Sequence, residues 1–247
     1  MSSGSYRLDI EYDGSGFSGW AAQSGLRTVQ GELEAALETV LRERVELTVA
    51  GRTDAGVHAW GQVASFATAT KVPGDLARRL NGLTGADVSV TAASPAAPGF
   101  DARGDATSRS YCYRLHARSA SSPFEQGRAL WWPHRIDREA LDACAAALPG
   151  TRDFTAFTPT QTDHVRFERD VFAASWREEP DDILAFRVSA DAFMRSMVRV
   201  LVGTMLEVSS GRRSVPDFVA LLNGAPRTAA GETAPPYGLY LESVGYS

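Results

Sequence analysis

One segment of the chain combines residue types and spacing that suit chemistry: residues 51–58, Gly-Arg-Thr-Asp-Ala-Gly-Val-His. It places a single carboxylate, Asp54, between two glycines and after Arg52 and Thr53, where local hydrogen bonds can fix its orientation. A carboxylate held in this way can act as a nucleophile or stabilise a developing positive charge. Taken alone, the pattern is more often that of a turn aspartate, so the segment identifies a candidate residue and no reaction.

Motifs for other common chemistries are missing or misplaced. Residues 14–19, Gly-Ser-Gly-Phe-Ser-Gly, match G-x-G-x-x-G after a strand pattern, but no helical pattern follows directly, as dinucleotide binding requires. We predict instead a mobile loop whose aromatic residues, Phe17 and Trp20, contact a partner or the core. No nucleophile elbow is present, and the four histidines have no metal-ligand spacing. We therefore predict no metal and no cofactor, and we expect Cys112 and Cys144 to be buried apolar residues.

Hydrophobic patterns predict the elements that position the Asp54 segment. Alternation over residues 6–12 indicates a strand, and a helical pattern runs from about 29 to 44 with Thr28 as its N-cap. The remaining predicted elements of this half are strands at 46–49 and 62–68 with a polar loop between them, a short helix at 73–80, a strand near 88, a small-residue linker at 92–99 and a strand at 108–117.

The second half repeats this mixture of strands and helices. Its predicted elements are a helix at 137–148, a strand pair at 168–177 and 183–189, the longest helix at 190–208, a short helix capped by Ser214 and a closing strand at 239–244. Mixed strands and helices in both halves indicate an α+β protein. The Ser-rich stretch 119–123 is the natural joint, so we predict two domains, residues 1–118 and 119–247.

Composition limits the kinds of partner. The chain has 247 residues with 25 basic against 30 acidic side chains, a formal charge of −5, and Lys71 is its only lysine. This balance excludes binding of nucleic acid through a uniformly basic surface, although local arginines can still form a phosphate-binding patch. Residues 1–6 lack the apolar core of a signal peptide, and no apolar run approaches the roughly 20 residues of a membrane span. We therefore expect a cytoplasmic protein.

Several ordered motifs together carry a family resemblance. They are residues 10–14 with 17–20, 27–34, the Asp54 segment, 80–83, 106–111, 154–157, 197–199 and 238–241. In this order and at these intervals the chain, from about residue 6 to 245, resembles the TruA-type tRNA pseudouridine synthases. The resemblance implies two RRM-like α/β halves that form one continuous mixed and antiparallel sheet, with helices on one side and a central active-site cleft.

The same resemblance implies an activity and roles for individual residues. The activity is isomerisation of uridine to pseudouridine in the tRNA anticodon stem-loop, at positions 38–40, by a homodimer. Asp54 matches the essential carboxylate, and Arg199 matches the arginine that pairs with it. Tyr111 matches the tyrosine that stacks on the uracil, although Tyr113 points the same way along the strand and a shift of two residues stays open.

Four further residues are candidates for substrate binding. Leu239 fits the small apolar wall over the base, and Arg52 is placed to meet the RNA backbone or a nucleotide extruded from its stack. Arg103 and Arg109 are each equally well explained as phosphate contacts or as solvated strand charges. We expect no contact with a membrane.

Some positions depart from the family pattern and leave the substrate open. Asp101 stands where a histidine is usual, Ala21 and Ala22 replace polar or bulky residues, and Arg152 replaces a histidine. One alternative is therefore a specialised paralogue that acts on another RNA or on a free uridine nucleoside or nucleotide. A second alternative, from another class, is a non-catalytic RNA-binding protein or RNA chaperone, against which the intact Asp54 argues.

Overall fold

The computed structural model describes residues 4–162 and 165–247, so the expectations for residues 1–3 and for His164 lie outside the described residues. The strands are β1 (Gly4–Tyr12), β2 (Thr48–Val49), β3 (His58–Thr68), β4 (Val88–Pro95), β5 (Ala106–His116), β6 (Leu130–Trp131), β7 (Gly150–Asp153), β8 (Glu168–Glu179), β9 (Ile183–Ala190) and β10 (Leu239–Tyr246). The helices are α1 (Val29–Leu41), α2 (Leu76–Asn81), α3 (Arg138–Ala146), α4 (Met197–Ser209) and α5 (Val215–Ala220). This content confirms the α+β class.

Two compact units divide the described residues. The first ends at Thr107 and also includes Tyr240–Ser247, and the second covers Ser108–Leu239. The last strand of the chain therefore belongs with the first unit. The sequence domains 1–118 and 119–247 stay a prediction about the organisation of the chain. None of the helices in the described ranges has both the length and the apolar character that a membrane span needs.

The first unit is built on a mixed sheet around β1 and β3. Strand β1 lies between β4 and β3 and is antiparallel to both, and the short strand β2 pairs with β3, also antiparallel. Strand β10 runs parallel to β3 and places Tyr240 opposite His58. Helix α1 begins where expected, because the Thr28 hydroxyl accepts a hydrogen bond from the Gly31 N–H at 3.3 Å. The loop that carries Asp54 joins β2 to β3 in this unit.

In the second unit the strands follow the order β5-β9-β8-β7, with the short strand β6 parallel to β5. Strands β5 and β9 are antiparallel and place Tyr111 opposite Val188. Helix α4 is almost entirely buried and supplies Met197, Val200 and Leu201 to the core. The two cysteines, Cys112 and Cys144, are fully buried in this unit, which confirms their expected apolar role. Burial raises the pKa of the Cys144 thiol to about 12, so it is not a thiolate nucleophile at neutral pH.

Two predicted elements are wrong. The expected helix at 190–208 begins only at Met197, because β9 extends to Ala190 and Ser196 adopts a left-handed conformation (φ 60°) before the helix. The turn at 191 is closed by Asp191, whose carboxylate accepts the N–H groups of Asp170 and Ala192. The first half of the expected linker at 92–99 is strand, because β4 continues to Pro95 on the outer side of β1. Proline is tolerated there because the outward edge needs no N–H donor.

Candidate active site

Asp54 lies on a tight, well-braced turn between β2 and β3. The Val57 N–H donates to the Asp54 carbonyl at 3.1 Å, and Gly56 adopts the left-handed conformation (φ 78°) that the turn requires. Thr53 is buried, Asp54 is half-buried, and Arg52 is exposed on the same turn. The backbone of the turn is therefore fixed on the side of the core, and Asp54 itself is only half-buried within this unit.

The loop at residues 13–20 packs directly on the Asp54 turn, and its mobility stays a prediction. Phe17 and Trp20 are buried, and the Trp20 N–H donates to the Thr53 carbonyl at 3.0 Å. Of the two contacts predicted for these aromatic residues, a partner or the core, the structure confirms the core. The glycine spacing of this loop is therefore explained by its packing on the Asp54 turn, without dinucleotide binding.

Two glycines of this loop explain the G-x-G-x-x-G pattern in physical terms. A Cβ atom on Gly14 would lie 2.0 Å from the Val57 carbonyl oxygen, inside any permitted contact distance. Gly19 has a φ of +90°, and a Cβ atom there would lie 2.9 Å from the Thr53 carbonyl oxygen. The backbone of the loop at 13–20 thus packs directly on the backbone of the Asp54 turn at both ends of the turn. A residue larger than glycine at position 14 or 19 would prevent this close approach.

Arg27 fastens the outer side of this loop. Its guanidinium donates two hydrogen bonds to the Asp87 carboxylate, at 2.6 and 2.7 Å, and one to Glu32 at 2.9 Å. It also lies 4.1 Å from the centre of the Phe17 ring, a cation–π contact. The bonds with Asp87 raise the pKa of Arg27 further above its ordinary value, so the charge is permanent. Arg27 therefore holds the loop at 13–20 to Asp87 and to α1.

His58 is a site residue that sequence reasoning missed. It is buried, its Nδ1 accepts the Gly14 N–H at 3.0 Å, and its ring stacks on Tyr240 with centres 4.6 Å apart. It therefore joins the loop at 13–20 to β3 and β10 in the first unit. The only signal in the sequence is its place as the last residue of the Asp54 segment, because metal-ligand spacing is the wrong test for a histidine that accepts a backbone hydrogen bond.

The two tyrosines of β5 have different surroundings in the second unit. Tyr113 is fully buried, and its hydroxyl donates to the Pro235 carbonyl at 2.8 Å. Burial raises the pKa of this hydroxyl well above its ordinary value. Tyr111 is also largely buried and packs edge-on against Phe193, with ring centres 5.0 Å apart. Both tyrosines are thus packed within this unit, and the base-stacking role of Tyr111 stays a prediction.

Arg199 lies in the first turn of α4 and is half-buried. Its Nε donates to the Ala234 carbonyl at 2.8 Å, and the Ala234 N–H donates to the Arg199 carbonyl at 3.1 Å. Because Tyr113 binds the next carbonyl, that of Pro235, the structure brings Arg199 and Tyr113 together at one stretch of chain. This stretch leads through a short turn, Pro236–Gly238, to the buried Leu239.

The other predicted arginines differ in accessibility. Arg109 is buried and donates to the Asp191 carbonyl at 2.9 Å, so the alternative of a solvated strand charge is wrong for it. Arg103 is exposed on a turn of the first unit. The Asp101 carboxylate forms that turn by accepting the N–H groups of Arg103 and Gly104 at 2.8 and 2.7 Å. Asp101 is therefore a turn residue, which accounts for this departure from the family pattern.

Metal-ligand groups are not found in the described ranges, where no three His, Cys, Asp or Glu side chains converge in a way that could hold an ion. The groups brought together around Asp54 are instead its own carboxylate, the hydroxyls of Tyr12 and Thr53, the buried Gln62 amide and backbone groups. Such a set suits covalent or electrostatic catalysis on an organic substrate.

Comparisons with known proteins identify the family. A family model described as tRNA pseudouridine synthase matches residues 10–103 and 144–247. A curated tRNA pseudouridine synthase A from Frankia casuarinae is 44% identical over 243 residues, 97% of this chain and 88% of the relative. Another, from Mesorhizobium japonicum, is 41% identical over 250 residues, 98% of either chain. A crystal structure of a Cbf5-Nop10-Gar1 complex is similar at a TM-score of 0.37 and 12% identity, covering 96% of this chain and 58% of that one.

The family model and the curated relatives define an enzyme of the isomerase class. More specifically, the chain belongs to the tRNA pseudouridine synthase family.

Proposed function

We propose that the protein converts uridine to pseudouridine in the anticodon stem-loop of tRNA, at positions 38–40, with Asp54 as the essential carboxylate. The observation that carries this proposal is that the Trp20 and Val57 N–H groups hold the carbonyls of Thr53 and Asp54, while Asp54 itself is only half-buried in its unit. A carboxylate that is fixed before substrate arrives needs little reorganisation during the reaction. The proposal includes the homodimer that the resemblance implies.

The reaction places few demands on the protein beyond such a group. The bond between C1′ and N1 breaks, the uracil turns while it stays bound, and a new bond joins C1′ to C5. The C5 proton leaves and N1 takes up a proton, so the product is an isomer of the substrate. Asp54 serves as nucleophile or as counter-charge, Tyr111 stacks on the base, and Leu239 covers it. Arg199, whose orientation is held by Ala234, supplies positive charge for the carboxylate or the RNA.

Release of tritium from C5-labelled uridine tests the proposal directly. We expect release from tRNA that carries uridine at positions 38–40, and none from the same tRNA with cytidine at these positions. Free uridine and uridine monophosphate serve as the comparison substrates. Release from the small molecules and not from tRNA would contradict the proposed substrate, and release from none of them would contradict the activity.

A smaller substrate is not favoured by any contact within the described units. Of the substitutions that raised this alternative, Asp101 has a structural role, since its carboxylate closes a turn. The substitution at Asp101 is thus explained without a change of substrate, whereas nothing in the structure explains those at Ala21 and Ala22.

Arg52 gives a prediction about RNA binding. Arg52 is exposed beside Asp54, and no group within residues 4–162 or 165–247 holds its guanidinium. We expect Arg52→Gln to weaken tRNA binding and to lower the slope of log Kd against log salt by about 1, as for the loss of one phosphate contact. Filter binding over a range of salt concentrations measures this slope.

A matched control is Arg44→Gln, because Arg44 is also exposed in the first unit but pairs with Glu38 at 3.4 Å. Its slope should equal that of the wild-type protein. An unchanged slope for Arg52→Gln would remove Arg52 from the RNA-binding residues.

A further inference from the structure

A buried hydrogen-bond chain lies behind the Asp54 turn. The Tyr12 hydroxyl, at the end of β1, is 2.8 Å from Thr53 Oγ1. The Gln62 side chain, on β3, is 3.3 Å from the same Tyr12 hydroxyl and 2.7 Å from the Gly51 carbonyl oxygen. Tyr12, Thr53 and Gln62 are all buried, and Gln62 is completely so. Strands β1 and β3 therefore each contribute one side chain that contacts residues 51–53, directly before Asp54.

The ends of this chain fix the orientation of the Gln62 amide. The Gly51 carbonyl needs a donor and the Val63 N–H, 3.2 Å from the Gln62 oxygen, needs an acceptor, so Gln62 presents its NH2 group to Gly51 and Tyr12. Tyr12 thus accepts from Gln62 and keeps its single proton, and either Tyr12 or Thr53 can be the donor in the bond between them. Burial raises the pKa of the Tyr12 hydroxyl to about 12, which keeps that proton in place at neutral pH.

The hydrogen-bond chain holds a side chain of the turn, in addition to the carbonyls that backbone bonds hold. Trp20 and Val57 hold the carbonyls of Thr53 and Asp54, whereas Tyr12 holds the Thr53 side chain. Without the Tyr12 hydroxyl, Thr53 can turn about its backbone and carry the adjacent Asp54 with it. Misplacement of a reacting group by about 1 Å is enough to slow catalysis about 100-fold.

We infer that Tyr12 is a positioning residue for Asp54, acting through the hydroxyl of Thr53 and oriented by Gln62. The inference rests on the proposed function of Asp54, and it assigns Tyr12 no contact with substrate. It also accounts for a tyrosine, where phenylalanine would fill the same space, at the end of a core strand.

Tyr12→Phe tests this role, with Tyr6→Phe as the matched control. Tyr6 lies on the same strand and stacks on Phe66 with ring centres 5.3 Å apart, and in the described part of the chain its hydroxyl has no hydrogen bond. We expect Tyr12→Phe to lower kcat about 10- to 100-fold with KM changed less than about threefold. Tyr6→Phe should leave both constants unchanged. Thr53→Val should reproduce the loss in kcat, and Thr53→Ser, which keeps the hydroxyl, should restore most of it.

Amide hydrogen exchange separates this inference from the proposed function. In Tyr12→Phe we expect the Trp20 and Val57 amides, which bind the carbonyls of the turn, to exchange at least about tenfold faster, while the amides of α1 keep their rates. Unchanged exchange at both amides overturns the inference whatever the turnover, and so does an unchanged kcat. If the wild-type protein does not isomerise tRNA at all, the proposed function fails, and the exchange rates alone decide whether Tyr12 holds the turn.

Discussion

Replacing Asp54 with asparagine should abolish turnover on tRNA while leaving tRNA affinity nearly intact. Asparagine has the same shape but is neither a nucleophile nor a counter-charge, so we expect kcat to fall at least about 1,000-fold. The bonds that brace the turn join the Trp20 and Val57 N–H groups to backbone carbonyls, and they do not involve the carboxylate. The substituted turn should therefore keep its conformation and its contribution to RNA binding.

Single-turnover tritium release and filter binding on the same preparation measure the two effects. Asp142→Asn is the matched control, since Asp142 is exposed on α3 and makes only a long contact, 3.4 Å, with Arg138. It should behave as the wild-type protein does. Asp54 is not the essential carboxylate if Asp54→Asn keeps more than about one tenth of wild-type turnover, because loss of a nucleophile costs far more than tenfold.

The features that sequence alone predicted correctly are those with a local cause. Helix α1 begins after Thr28, and α5 begins after Ser214, whose side chain forms a capping box with Asp217. Such caps depend on residues three apart, which a sequence displays directly. The Asp54 segment was likewise visible because its glycines and polar residues lie within eight positions.

The features that sequence missed are set by contacts between distant residues. The loop at 13–20 has the composition of a mobile segment, but Gly14 and Gly19 serve to bring it against a turn some forty residues away in the chain. Apolar residues at 190–208 fit a helical period, so the sequence predicts one long helix there that includes residues 191–196. Asp191 instead bonds the backbone of Asp170, on another strand, and ends that possibility.

The choice between Tyr111 and Tyr113 shows the same limit at the level of a single side chain. Alternation along β5 puts both rings on one face, so pattern alone leaves the two equivalent. In the structure the Tyr113 hydroxyl donates to the Pro235 carbonyl, which lies more than a hundred residues further along the chain, while the base-stacking role stays a prediction. Long-range partners of polar atoms therefore carry functional information that periodicity does not.

The second large effect is expected for Gly14→Ala. The new Cβ atom would lie 2.0 Å from the Val57 carbonyl oxygen and 2.5 Å from its carbonyl carbon, both of them backbone atoms that no rotamer change can move. Relief requires displacement of the loop at 13–20 or of the Asp54 turn by about 1 Å or more. Overpacking of this kind costs about 1–3 kcal/mol of the free energy of unfolding. Displacement of the turn should also lower kcat about 100-fold.

Urea unfolding and tritium release, both at a temperature where the variant stays folded, separate the two contributions. Gly74→Ala provides the control, because a Cβ atom there meets nothing within 4 Å and should change neither quantity. A loss of stability without a loss of kcat would mean that the loop at 13–20 only completes the core. A loss of both, with tRNA affinity retained, is expected if this loop holds the carboxylate of Asp54 where the reaction requires it.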